Sequence, residues 1–206
     1  NNQELWVKLI GSFNAYNLLA IYGAADLLGL KNLNTLQLMS ELESVDGRFQ
    51  YLISKKNITV IVDYAHTPDA LKNVLETINT IRTKNEELIT VVGCGGDRDI
   101  TKRPKMGAIA ATLSTKVIFT SDNPRSENPL AIIDSIEKGV PGEYFSKTIS
   151  ISDRKQAIKT ACQLANEGDI ILIAGKGHET YQEIKGERFD FDDFKIINEL
   201  LKALNK

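Results

Sequence analysis

VIFTSDNPRSENP, residues Val117 to Pro129, decides how this chain reads, because a short apolar run stops there in a cluster of hydrogen-bonding residues. Val117, Ile118 and Phe119 suit a buried strand, whereas Asp122, Asn123 and Pro124 are turn formers. The proline also disfavours helical geometry at Asn123, so the chain turns and presents Arg125 at a strand's carboxyl end. Taken alone, this is equally a capped surface turn with an exposed arginine. Its meaning depends on what the rest of the chain places beside it.

On both sides of that stretch, from Arg48 onward, strands alternate with helices. Phe49 to Ile53 and Ile58 to Val62 are expected strands, the second continuous in β-branched residues as a strand buried on both faces would be. Pro68 suits the first turn of a helix whose buried stripe is Leu71, Val74, Leu75 and Ile78. Leu88 to Val92 is the next strand and Gly93 to Arg103 its loop, followed by a helix from about Pro104 to Leu113. Beyond the Val117 strand come helices over Pro129 to Lys138 and Asp153 to Ala165, with Asp153 as N-cap. Ile170 to Ala174 is a further strand, Tyr181 to Phe191 a hairpin around Lys185-Gly186, and Asp192 to Leu204 a last helix.

The alternation predicts an α/β fold: a Rossmann-like, mostly parallel sheet with helices on both faces. In such sheets ligands bind at the carboxyl ends of the strands. Asp63 to Thr67, Gly93 to Asp99, Asp122 to Arg125 and Gly175 to Glu179 all follow strands, so these four polar clusters are expected on one rim.

Ahead of this lies a different pattern. Leu5 to Ile10 reads as a short strand, Tyr16 to Leu28 and Leu33 to Leu42 as helical pieces, and Val45-Asp46-Gly47-Arg48 as a break. Asn14 and Asn17 are three apart, a spacing that puts both carboxamides on one helix face, where they could hydrogen-bond a flat heterocycle such as adenine. An N-cap and an early-turn asparagine would look the same.

The chain has 206 residues, 42% apolar and 25% charged, with a net charge of -2. These values describe an ordinary globular protein and point to neither a nucleic-acid nor an acidic-membrane partner. Cys94 and Cys162 form no metal or redox spacing, so reduced thiols in a cytoplasmic protein are expected. No signal peptide is evident, and the start at Asn1 reads as the middle of a longer protein.

The glycine loop VVGCGGDRDITKRP invites a dinucleotide-binding reading, but Arg98 falls where the third glycine of G-x-G-x-x-G belongs. What the loop offers instead is Asp97, Arg98, Asp99, Lys102 and Arg103, a mixture suited to a ligand with charges of both signs. Across the rim, Arg98 and Arg125 can grip carboxylates in bidentate fashion, and Asp122 and Glu179 can receive ammonium groups. The pattern fits a zwitterion. His66 and His178 fit structural hydrogen-bonding roles as well as catalytic ones, and neither has metal-ligand spacing.

In order along the chain, G-S-F-N-A-Y-N, D-G-R, D-Y-A-H-T-P-D-A-L, G-C-G-G-D-R-D-x-x-K-R-P-x-M, D-N-P-R and G-K-G-H-E resemble the carboxyl-terminal part of the Mur ligases, in particular their diaminopimelate-adding branch. That resemblance implies that residues 1–45 are the tail of a central ATPase domain and residues 46–206 a terminal amino-acid-binding domain. It implies that Arg98, Asp122, Asn123, Arg125, Gly175 and Glu179 bind meso-diaminopimelate. Asn17, Arg48 and Asp63, with Asn14, His66 and Thr67, would face ATP. The implied partners are ATP with Mg2+, UDP-N-acetylmuramoyl-dipeptide and meso-diaminopimelate, acting on a monomer in the bacterial cytoplasm. In the whole enzyme ATP would phosphorylate a D-glutamate γ-carboxylate, and the diaminopimelate amine would attack the acyl phosphate.

One departure is clear: no G-x-x-x-x-G-K-[ST] phosphate loop occurs. By itself the chain is therefore expected to be inactive, and no catalytic residue is assigned within it. Two alternatives stand beside this reading: a ligase of the same family that adds L-lysine, and a non-catalytic module that binds an amino acid or a nucleotide. Lysine lacks the second carboxylate, so D-N-P-R favours diaminopimelate.

Overall fold

Runs of β-branched residues with both faces apolar require a sheet covered on both sides, and the computed structural model, which describes residues 4–30, 32–83 and 85–206, has that sheet. The chain divides into two compact units, Asn1–Val45 and Asp46–Lys206. In the larger unit the strands are β1 (Gln50–Ile53), β2 (Thr59–Asp63), β3 (Leu88–Val92), β4 (Lys116–Phe119), β5 (Thr148–Ser150) and β6 (Ile170–Ala174), in the order β1-β2-β6-β3-β4-β5. β1 is antiparallel to β2, and every other pairing is parallel.

Parallel neighbours need crossovers, and helices supply them: α3 (Pro68–Ile81), α4 (Lys102–Leu113), α5 (Pro129–Glu137) and α6 (Arg154–Leu164), with α7 (Asp193–Ala203) closing the chain. Side chains alternate across a strand, so each strand feeds two cores. Val60, Val62, Ile89, Val91, Ile118, Ile171 and Ile173 form one, packed with Ala157, Ile158, Ala161, Ile197 and Leu201 of α6 and α7. Their neighbours Ile61, Val92, Val117, Phe119 and Leu172, also buried, point to the opposite face. There α3 buries Leu71, Val74, Leu75 and Ile78, the stripe expected from its sequence, and α3 and α5 both adjoin α4.

Local chemistry sets the helix starts. Thr67, Asn128, Asp153 and Asp192 each accept a backbone N–H in the first turn that follows them. Between α5 and α6 a 3-10 helix, Gly142–Lys147, leads into edge strand β5, neither of them expected from sequence. β5 is three residues long and half exposed, too short to carry a periodic signal. The hairpin of β7 (Tyr181–Ile184) and β8 (Glu187–Asp190) forms where Lys185-Gly186 predicts it, with both turn residues at positive φ.

The smaller unit holds α1 (Ser12–Leu27) and α2 (Asn32–Ser40), which pack on one another around Leu18, Ala25, Thr35 and Met39. The expected strand at Leu5 to Ile10 is not formed. A strand persists through a hydrogen-bonded ladder, and among the described residues this unit contains no partner strand.

Candidate functional site

β2, β6, β3 and β4 are consecutive and parallel in the sheet, so the four turns that leave their carboxyl ends lie side by side. This places Asp63 to Thr67, Gly175 to Glu179, Gly93 to Asp99 and Asp122 to Arg125 on one rim of the larger unit. Beneath it Arg154, 1% exposed, ties two of the strand ends together. Its guanidinium donates to both Asp193 carboxylate oxygens at 2.9 and 2.8 Å, to Ala174 O at 3.1 Å and to Ser121 O at 3.4 Å. Burial alone would ease the proton off Arg154, but the charge and hydrogen bonds of Asp193, with Asp122 and Glu179 nearby, hold it more firmly than usual.

The turn after β4 and the glycine loop after β3 are locked together. Gly96 N–H donates to Asn123 O, and a Cβ on Gly96 would lie 2.0 Å from Pro124 O, so only glycine permits this approach. Glu127 clasps the two loops: it accepts both terminal nitrogens of Arg103 at 2.8 and 2.9 Å, and the N–H of Asp97 at 2.6 Å. The hydrogen bond from Arg103 holds the Glu127 carboxyl below its ordinary range. Asp97 accepts from Ser126 Oγ and N, and Asp99 caps Thr101. Of the charges the sequence offers in this loop, Asp97, Asp99 and Arg103 are therefore spent on the loop itself. Arg98 is exposed and among the described residues bonds only its neighbour, Asp97 O, at 3.3 Å.

Arg125 sits at φ +50, a left-handed conformation uncommon for a residue with a side chain, and the β7–β8 hairpin holds it there. Its N–H donates to Glu183 O and its carbonyl accepts from Lys185 N. The guanidinium gives Nη1 to Gly96 O at 2.7 Å and sets Nε 3.4 Å from the Glu183 carboxylate, leaving Nη2 without a partner among the described residues. Asp122, 7% exposed, has neither a hydrogen-bond donor nor an ion-pair partner for its carboxylate among the described residues. Gly175, at φ +117, makes room for it, since a Cβ there would lie 2.6 Å from Asp122 Oδ2.

Asn123 is otherwise disposed. Its Nδ2 donates to Glu179 Oε2, and its Oδ1 accepts from Lys176 Nζ and Glu183 N, so both its amide nitrogen and its amide oxygen are engaged by the protein. Glu179 Oε2 also accepts from Lys176, while Oε1 has no hydrogen-bond partner among the described residues. Lys176, Glu183, Glu127 and Arg103 thus build the site, and of the four the sequence reading cast only Arg103, as one of the loop's charges. Lys176 stands inside the G-K-G-H-E motif, yet nothing in a sequence reveals that a lysine is fully buried.

The remaining candidates of the larger unit form a second cluster at the ends of β2 and β6. Asp63 accepts Phe49 N and Ala65 N at 2.7 and 2.8 Å; burial raises its carboxyl above the ordinary value against these bonds and Arg48. The Arg48 guanidinium stacks 4.6 Å from the Tyr64 ring centre, and His66 and His178 flank the same ring at 4.6 and 5.3 Å. Thr67 is the N-cap of α3. In the smaller unit, Asn14 Nδ2 donates to Ile10 O and Asn17 Nδ2 to Asn14 Oδ1, on the first turns of α1. Gly11, not Asn14, is the N-cap, so the capping alternative for Asn14 does not hold.

Both thiols are buried, and burial pushes Cys94 up to about 12 and Cys162 to about 11. Among the described residues no group of three or more His, Cys, Asp or Glu is arranged to hold a metal ion, and no helix is long and apolar enough to cross a membrane.

A comparison with protein families places this parallel α/β unit. Residues 47–177 match the family model described as Mur ligase, glutamate ligase domain, and the chain belongs to the Mur ligase family. Among its curated relatives, the UDP-N-acetylmuramoyl-L-alanyl-D-glutamate–2,6-diaminopimelate ligase of Cytophaga hutchinsonii is 59% identical over 98% of this chain. The ligase of the same name from Bacillus velezensis is 49% identical over 99% of it. The chain spans 42% of the first of these proteins and 41% of the second. A solved structure of a diaminopimelate ligase of that name superposes with a TM-score of 0.74 at 40% identity, covering 98% of this chain and 41% of that one. At 21% identity the UDP-N-acetylmuramate–alanine ligase of Thermotoga maritima shares the fold, with a TM-score of 0.68 over 99% of this chain and 40% of that one.

Proposed function

We propose that this chain is the amino-acid-binding part of an ATP-dependent ligase that adds meso-diaminopimelate to UDP-N-acetylmuramoyl-L-alanyl-D-glutamate in bacterial peptidoglycan synthesis. The observation that carries the reading is the pairing, on one rim, of an arginine Nη2 and a buried aspartate carboxylate that have no hydrogen-bond or ion-pair partner among the described residues. A carboxylate and an ammonium on one carbon answer both, and meso-diaminopimelate carries such a centre at each end. Arg125 and Arg98 are proposed to hold carboxylate, and Asp122 and Glu179 Oε1 to hold ammonium. Gly175 gives the ligand close access to Asp122, and Asn123 acts by steadying Glu179. The rim would present the second amino group, as a free amine, to an activated acyl group.

ATP supplies the activation in this reading, with Arg48, Asp63, His66 and Thr67 proposed as nucleotide contacts of the larger unit; Asn14 and Asn17 are proposed as nucleotide contacts for the smaller unit taken by itself. The stacked Arg48, Tyr64 and His66 suit a flat base or ribose. No phosphate loop or cation cluster belongs to the described residues, so the chain's own part is to seat and orient the nucleophile. The UDP-sugar dipeptide, Mg2+, a monomeric state and a cytoplasmic location complete the proposal.

The test is a comparison of meso-diaminopimelate and L-lysine on the full-length ligase, wild type and Arg125→Ala. With Nη1 and Nε engaged by the protein, Arg125 offers Nη2 alone, and a lost charge-assisted contact of that kind is worth about 1.5 to 3 kcal/mol, so relative kcat/KM for meso-diaminopimelate over lysine should fall by roughly 10- to 150-fold. Arg125→Ala also frees Gly96 O, which affects both substrates alike, and uncovers Glu183, which moves the ratio in the same direction; Glu183→Gln in the same background removes that second contribution. Equal losses would mean that Arg125 only braces its loop.

A further inference from the structure

Lysine is the side chain least expected at zero exposure, yet Lys176 has none. It lies in the turn after β6, with Nζ 2.9 Å from Asn123 Oδ1, 3.1 Å from Glu179 Oε2 and 5.6 Å from the Tyr181 ring centre. The cation is thus compensated by one carboxylate, one amide oxygen and one ring face, all belonging to the rim. Three carboxylates line this part of the unit: Asp122, Glu179 and Glu183. Glu179 is matched by Lys176 and Glu183 by Arg125, while Asp122 has Arg154 nearby but no ion-pair partner in contact among the described residues.

The geometry points to Lys176 as a specificity-determining positioning residue, which by pinning Glu179 and Asn123 and cancelling one acidic charge favours a net-neutral amino acid over a cationic one. This role rests on the function proposed above. Meso-diaminopimelate has two carboxylates for its two ammonium groups, whereas L-lysine has one carboxylate and carries an extra positive charge. Without Lys176, two unmatched carboxylates would face the ligand instead of one. The crevice would then draw the more cationic substrate and repel the second carboxylate of the other. Lys176 also fixes where Glu179 Oε1 points, because Oε2 is held from two sides by Lys176 and Asn123.

The experiment measures kcat and KM for both amino acids in the full-length ligase, as wild type, Lys176→Met, Lys176→Gln and the double variant Lys176→Met with Glu179→Gln. Lys176→Met should shift the ratio of kcat/KM toward lysine by roughly tenfold, mainly through KM. The double variant, which removes the acid with the base, should move the ratio back toward wild type. Lys176→Gln keeps a donor for Asn123 and Glu179, and it reads the same shift if the methionine variant does not fold. Equal losses for the two substrates, or no return in the double variant, would overturn the specificity role and leave the proposed function intact. A wild type that prefers lysine, or ligates neither amino acid, would overturn the proposed function and this role with it.

Discussion

Removing Asp193 should unfold the rim from below, and the size of the effect follows from its contacts. Arg154 and Asp193 are both 0% exposed in their side chains, and Asp193 supplies two of the four acceptors that the guanidinium uses. Asp193→Ala leaves a charged group in the core with only the carbonyls of Ser121 and Ala174. Breaking one side of such a pair costs about 3 to 5 kcal/mol, because the surviving charge cannot return to water. For a unit of this size each kcal/mol moves Tm by about 2 to 4 °C, so a fall of roughly 6 to 20 °C is expected. Arg154→Met should be comparably damaging. The double replacement Arg154→Met with Asp193→Leu removes both charges and should recover most of the loss, short of about 1 to 2 kcal/mol for the two carbonyls left without a donor. Denaturant and thermal unfolding of the four proteins, followed by circular dichroism, give the coupling energy directly. Singles that each cost under about 1 kcal/mol, or a double equal to their sum, would refute the picture of a dry, mutually dependent pair. The consequence reaches function, since Ser121 and Ala174 immediately precede Asp122 and Gly175.

Two further outcomes are expected. With folded-state values near 12 for Cys94 and 11 for Cys162, thiolate at pH 8 is about one part in ten thousand and one in a thousand, respectively. Neither thiol should therefore react with a disulfide reagent until denaturant is added; prompt modification of the native chain would contradict their burial. Residues 46–206, which contain the whole sheet and all its covering helices, should unfold in a single cooperative transition after deletion of residues 1–45, and a non-cooperative melt would show that the larger unit does not close its own core.

The strand and helix order of the larger unit was legible in the sequence because each signal is local. Continuous β-branched runs, a proline at a first turn and Asp153 or Asp192 before an apolar stripe act within a few residues. So was the rim: once strands are parallel, whatever follows them shares one edge. Leu5 to Ile10, expected as a strand, and β5, not expected at all, share one reason: strand formation depends on a partner, and the partner is not local. Which rim residue does what was decided only by tertiary structure. Asp122, Asn123 and Arg125 are near neighbours in sequence, yet Asn123 is consumed by Lys176, Glu179 and Glu183, from a turn and a hairpin more than fifty residues away. Asp122 is given room by the absence of a Cβ at Gly175, and Arg125 is held in a left-handed turn by the β7–β8 hairpin. A motif specifies which groups are available. Burial and long-range hydrogen bonds determine which of them remain free to meet a ligand, because a polar group satisfied inside the protein has little left to offer outside it.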